Sequence, residues 1–227
     1  MIVLDDYLGI EIDEKYNLRL NGRIIEPKVR RKKDMEPVLL EYDGEDEEMY
    51  YMYRGIFREE DEKQFQDYRI RHDITVVPNK MVGKEYNKTF GHYHPDNYPE
   101  LYEVIRGEAI FIMQSRDFKS LILIRAKRGD QILILPGYGH VMVNVGREPL
   151  ITSNLVYWDF ESDYSVFRER RGAMVYITED GIKVNDSYPL DFEIIKLEAK
   201  KIFEENIYKE FINNPKKFGF LKEKFNF

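Results

Sequence analysis

From Tyr68 onward the chain alternates short apolar runs with turn residues. The runs fall at 74–77, 101–105, 109–113, 121–126, 131–135, 140–145 and 150–158. Gly107, Gly129, Pro136, Gly137, Gly139 and Gly146 punctuate them. Many short strands at such spacing predict an all-β sandwich or small barrel. Two further strands, 173–178 and 182–184, flank the turn Glu179-Asp180-Gly181. Upstream, 10–12 and 23–25 read as strands around the turn at Asn21-Gly22, forming an N-terminal strand arm. Residues 27–37 are basic and extended, 47–57 are aromatic and fit helix or strand, and 58–66 are charged and expected to be exposed. After Pro189 the period changes. Ile195, Ala199, Ile202 and Phe203 recur at helical spacing, with Asp191 and Glu193 in the first turn and Asn213-Asn214-Pro215 as the stop. One C-terminal helix is expected there, its apolar stripe on the chain's own barrel, followed by a short Lys- and Phe-rich tail. This divides the chain into a β domain, 1–189, and a helical extension, 190–227.

Composition narrows the function. The chain of 227 residues suits one domain with a full core, or one domain and an appendage. No run of 18 apolar residues offers a membrane span. Acidic residues stand where a signal peptide needs a basic start, so a cytoplasmic protein is expected. There is no cysteine, which removes disulfides and thiolate chemistry and leaves His and carboxylate as metal ligands. A net charge of −7 argues against general nucleic-acid binding. Abundant Lys, Glu, Ile and Tyr suit a hot environment.

The chemistry concentrates in few residues. Only four histidines occur, and two form Gly91-His92-Tyr93-His94. Residues two apart on a strand face the same side, so both imidazoles can reach one ion. Glu100 follows after a Pro95-to-Pro99 turn, and His140 after Pro136-Gly137-Tyr138-Gly139. Neutral imidazole with carboxylate suits Fe, Mn, Co, Ni or Zn. A lone strand histidine is ordinarily a hydrogen-bonded structural residue, and His72 is read as structural or surface. His92, His94 and His140 differ because they share one spacing pattern with Glu100, Gly107, Gly129, Pro136 and Asn144.

That pattern resembles the two motifs of the cupin superfamily, with the loop between Pro136 and His140 one residue shorter than usual. The resemblance implies a cupin barrel holding one divalent ion per chain: Fe2+ foremost, with Mn2+, Ni2+, Co2+ or Zn2+ as alternatives. The flanks resemble, more narrowly, the archaeal cupin-type glucose-6-phosphate isomerases. Val29-Arg30-Arg31 with Asp34-Met35, Thr75-Val76-Val77-Pro78, Val82-Gly83-Lys84-Glu85, Thr89 to His94, Glu100-Leu101-Tyr102 and Asn144-Val145-Gly146 carry this likeness, over roughly residues 23–189.

The resemblance implies interconversion of glucose 6-phosphate and fructose 6-phosphate, a homodimer paired through N-terminal segments, and a role in sugar-phosphate metabolism. By motif it places the substrate phosphate at Thr75, Thr89 and Gly91, with Tyr157 as a further substrate-binding residue. It makes Glu100 both metal ligand and candidate base, and Tyr102, beside it, a second catalytic residue that orients the substrate or relays a proton. Where the family tends to have a histidine near the sugar, this chain has Ser162. Two other classes stay open: a different cupin metalloenzyme, such as a dioxygenase or decarboxylase, and a non-catalytic sugar- or metal-sensing module. Proton transfer through a cis-enediol and a hydride shift both fit the same residues.

Overall fold

A computed structural model describes residues 1–5 and 7–225. The last two residues of the Lys- and Phe-rich tail lie outside the described residues. A small N-terminal meander comes first: β1 (Ile2–Asp5), β2 (Ile10–Ile12), β3 (Leu18–Leu20) and β4 (Arg23–Ile25). The turn at Asn21-Gly22, both in the left-handed region, joins β3 to β4. Then follow β5 (Lys28–Arg31), α1 (Lys32–Met35), β6 (Glu48–Arg54), α2 (Glu62–Tyr68), β7 (Ile70–Val77), β8 (Met81–Val82) and β9 (Glu85–Tyr86). The central strands are β10 (Glu100–Arg106), β11 (Glu108–Ser115), β12 (Ser120–Lys127), β13 (Gln131–Ile134), β14 (Tyr138–Asn144) and β15 (Leu150–Tyr157). The chain continues through α3 (Ser165–Glu169), β16 (Val175–Thr178), β17 (Gly181–Val184), β18 (Glu193–Glu198) and α4 (Ile207–Asn213).

Two sheets make the barrel. One has six strands in the order β13-β10-β15-β7-β6-β5; the other has four, β14-β11-β12-β18. All but one pairing within them are antiparallel. Strand periodicity sorts the side chains to two faces. On β6, Tyr50 and Met52 belong to the core between the sheets, whereas Tyr51 and Tyr53 belong to a second core on the outer face of the large sheet. On β7, Ile70, Ile74 and Val76 face that outer core, and the alternating Arg71 and Thr75 line the barrel interior. The N-terminal meander supplies Leu8, Ile10, Ile12 and Leu18 to the outer core. The large sheet is therefore covered on both faces, which explains its near-continuous apolar runs.

Three segments differ from the sequence reading or complete it. Residues 47–57 resolve as strand, because β6 has an apolar core on each face. Residues 58–66 are not simply exposed: Phe65 of α2 and Asp61 are buried, and Arg58 Nε and the Tyr208 hydroxyl both donate to Asp61 Oδ2. The stretch carrying Ile195, Ala199, Ile202 and Phe203 is not a helix. Its first part is β18, which pairs in parallel with β12 from Ser120↔Glu193 to Arg125↔Glu198. The open edge of β12 offers a full row of backbone partners, a satisfaction that local spacing does not reveal. β18 packs only lightly on the barrel: Ile195 meets its core while Ile194 and Leu197 stay exposed. The helix comes later, as α4. Asn206 caps it, accepting from Lys209 N at 2.8 Å, and it ends at the expected Asn213-Asn214-Pro215. Ile207, Tyr208 and Phe211 of α4, with Phe218 and Leu221 beyond it, are fully buried in the outer core. Among the described residues, no helix is long and apolar enough to cross a membrane.

Candidate metal centre and its cavity

Gly91 opens the site. Its φ is +89°, and a Cβ there would lie 2.6 Å from both Phe167 and Val141, so only glycine fits. The next residue, His92, sits opposite His140 of β14. The two exchange backbone hydrogen bonds, His92 N to His140 O at 3.3 Å and His140 N to His92 O at 3.0 Å. His94 follows on the same side, and a short turn at Pro95–Asn97 leads to Glu100, the first residue of β10. Ligand atoms of His92, His94, Glu100 and His140 all lie within 4.8 Å of one another. His94, Glu100 and His140 are buried.

The electrostatics suit a cation. Glu100 Oε2 lies 3.2 Å from His140 Nε2 and 3.3 Å from His94 Nε2, yet neither contact has hydrogen-bonding alignment and Oε2 is an orphaned buried acceptor. Such an atom needs a partner that points at it, and a metal ion is one. Burial works against charge on Glu100, but the neighbouring His140 and His94 prevail and hold its carboxyl well below the usual range. Burial, reinforced by His140 and His94, keeps His92 neutral, its pKa well below the ordinary imidazole value. Burial likewise lowers His140. Neutral imidazoles and an ionised carboxylate are the protonation states that divalent cations require. His94 Nδ1 lies 2.8 Å from Tyr98 O, which fixes the tautomer with Nε2 turned into the cluster. Asn154 Nδ2 donates to Glu100 Oε1 at 2.7 Å and orients that carboxylate. The residues present thus fit a His3Glu site for one divalent ion.

Thr75, Thr89, Gly91, Tyr102, Tyr157 and Ser162 all line the same cavity as the cluster. The Tyr102 hydroxyl is 3.3 Å from His140 Nε2. Burial, then the Glu100 charge, raises its pKa well above the ordinary phenol value, so it stays a proton donor. The Thr75 side chain lines the cavity and makes no hydrogen bond among the described residues. Thr89 Oγ1 accepts from Met142 N at 2.9 Å, and its hydroxyl proton is available. Tyr157 is half-buried, its ring 4.8 Å from that of Tyr98. His72 lies elsewhere, on the outer face of β7, with Nδ1 2.6 Å from Ile56 O and its ring against Tyr208.

Sequence reasoning passed over several residues of the cavity. Asn154 is a buried polar residue inside an apolar strand, which is itself a signal. Arg54 and Arg71 also line the cavity. Both are anchored on buried Asp73, with Arg54 Nη1 to Oδ2 at 2.7 Å and Arg71 Nε to Oδ1 at 2.8 Å. Register places Arg54, Asp73, Asn154 and Tyr102 side by side across four strands, a row invisible before the pairings are known.

Residues 29–189 match the model of the family described as glucose-6-phosphate isomerase (GPI). The chain belongs to that family. Among its curated relatives, a glucose-6-phosphate isomerase of Thermococcus kodakarensis is 30% identical over 189 residues, 79% of this chain and 94% of that protein. Another, of Pyrococcus abyssi, is 27% identical over 79% of this chain and 95% of its own length. A solved Bacillus subtilis oxalate decarboxylase superposes with a TM-score of 0.40 at 23% identity, over 56% of this chain and 30% of that one. The family match ends at Pro189, so β18, α4 and the following residues lie beyond it.

Proposed function

We propose that this protein is a metal-dependent aldose–ketose isomerase acting on glucose 6-phosphate and fructose 6-phosphate. The observation that carries the reading is one cavity, in a member of this family, that holds both the His3Glu cluster and the unpartnered Thr75 hydroxyl. Thr75, Thr89 and the Gly91 backbone bind the phosphate, and the sugar lies toward His92, His94, Glu100 and His140. A divalent ion held by His92, His94, Glu100 and His140 would supply a Lewis acid for the sugar carbonyl.

The chain's own groups do the rest. In a proton-transfer route Glu100 takes the proton from one carbon and returns it to the neighbouring carbon, its Oε1 steadied by Asn154. Tyr102, protonated at rest, orients a substrate oxygen or relays a proton to it. In a hydride shift the same groups hold the two carbons in line, and Glu100 acts as a ligand only. The ion is drawn from Fe2+, Mn2+, Co2+, Ni2+ and Zn2+, since imidazole and carboxylate accept all of them. The working unit is a homodimer, measurable by sedimentation. A coupled assay with fructose 6-phosphate, run on chelator-treated protein with each ion restored in turn, tests the proposal. Turnover that needs no added ion, or none with any ion, would remove it.

A further inference from the structure

The residues beyond α4 run back to the metal centre. Pro215–Lys222 forms a 3-10 turn anchored by Phe218 and Leu221, both fully buried in the outer core. From that anchor the chain reaches the turn joining His94 to Glu100. Lys224 Nζ donates to Asp96 Oδ2 at 2.7 Å, and Asn97 Nδ2 donates to Phe225 O at 2.7 Å. Phe225 N donates to Asp96 O at 3.4 Å. Both contacted residues are left-handed: Asp96 has φ +52° and Asn97 φ +56°. Asp and Asn tolerate this region better than other side chains, but two in succession need support from outside the turn.

The turn has one adjustable output. Tyr98 O, its next carbonyl, fixes Nδ1 of His94, and two residues further the chain delivers Glu100. A shift in Asp96 or Asn97 therefore moves two of the four cluster residues together.

We infer that the segment 223–225 is a positioning clamp for the metal centre: it holds the 95–98 turn so that His94 and Glu100 meet the same ion. The inference rests on the metal reading of the cluster, not on the identity of the substrate. The exposed Lys224–Asp96 ion pair contributes little by itself. The two hydrogen bonds made by Phe225 across the left-handed residues are the larger part.

The test compares the full chain with a version ending at Lys222, which keeps Phe218 and Leu221. Mn2+ affinity is titrated by electron paramagnetic resonance, and melting of the metal-free protein is followed alongside. Truncation is expected to weaken Mn2+ binding about tenfold, the usual effect of losing an outer partner of a metal ligand. Metal-free melting should shift by no more than about 4 °C. Isomerase activity should fall at limiting Mn2+ and recover at saturating Mn2+. Unchanged Mn2+ affinity overturns the clamp. If truncation instead collapses the fold, Asn97→Asp decides: Asp tolerates the same left-handed backbone but cannot donate to Phe225 O, so Mn2+ binding should weaken. Unchanged Mn2+ affinity in that variant also overturns the clamp. A full chain that takes up no Mn2+ removes the metal reading and the clamp together, whereas one that binds Mn2+ but turns over no sugar phosphate removes only the isomerase.

Discussion

Glu100 combines two roles that a single substitution can separate. Glu100→Gln keeps the shape and the Oε1 acceptor for Asn154 but removes the charge and the base. If Glu100 moves the proton, activity should fall about a hundredfold or more while Mn2+ affinity changes about tenfold. Parallel losses, seen by single-turnover kinetics beside metal titration, would leave it a ligand alone. On the proposed reading, Thr75→Val and Thr89→Val would remove ground-state contacts to phosphate, so both should raise KM for fructose 6-phosphate with little change in kcat. A drop confined to kcat would place the phosphate elsewhere. The grouping of His92, His94, Glu100 and His140 was legible in the spacing of the sequence, whereas Thr75 and Thr89 entered only through the family resemblance, since a strand threonine and a threonine before a turn look ordinary by themselves. Asn154, Arg54 and Asp73 were not legible. Each acquires its neighbours only through the register of strands far apart in the chain.

At the scale of elements, local spacing separated strand from helix well wherever one period held, and failed after Pro189. Ile195, Ala199 and Ile202 have helical intervals, yet β12 needed a partner along its edge and β18 supplies it. Nothing within the segment announces that demand. The true helix, α4, is held at its start by Glu103 of β10, whose Oε2 accepts from Ile207 N at 2.7 Å. Burial pushes the Glu103 carboxyl up to about 7. Its folded pKa thus exceeds its unfolded value, so the folded state binds the proton more tightly. Stability is then lost as pH rises from about 4.5 through about 7. Glu103→Gln retains the acceptor without the charge. It should raise the melting temperature relative to the natural chain, and the gap should widen between pH 5 and pH 8. A gap that narrows over that range would show that the carboxylate stabilises α4.

For the molecule as a whole, an ion that binds only the folded chain stabilises it by mass action. At a free concentration a hundred times Kd this amounts to about 2.7 kcal/mol. For a chain of this length that is a rise in melting temperature of about 5–10 °C. Scanning calorimetry with saturating Mn2+, and again after chelation, should show the rise and its reversal. No shift with any candidate ion would mean that the cluster is not a folded-state metal site.

The same long-range ties have a kinetic side. Asn206 bonds Asp5 across 201 residues, and Lys224 bonds Asp96 across 128. Closing contacts so distant along the chain costs entropy before any packing is gained, so such topologies fold slowly. Trp158, the single tryptophan, directly follows β15, where its backbone N–H donates to Arg69 O. In stopped-flow refolding its fluorescence should report the barrel closing first. Competence to bind Mn2+ should follow later, on the slower timescale of the C-terminal segment finding the turn beside His94. If the two signals rise together, barrel and segment form in one cooperative step.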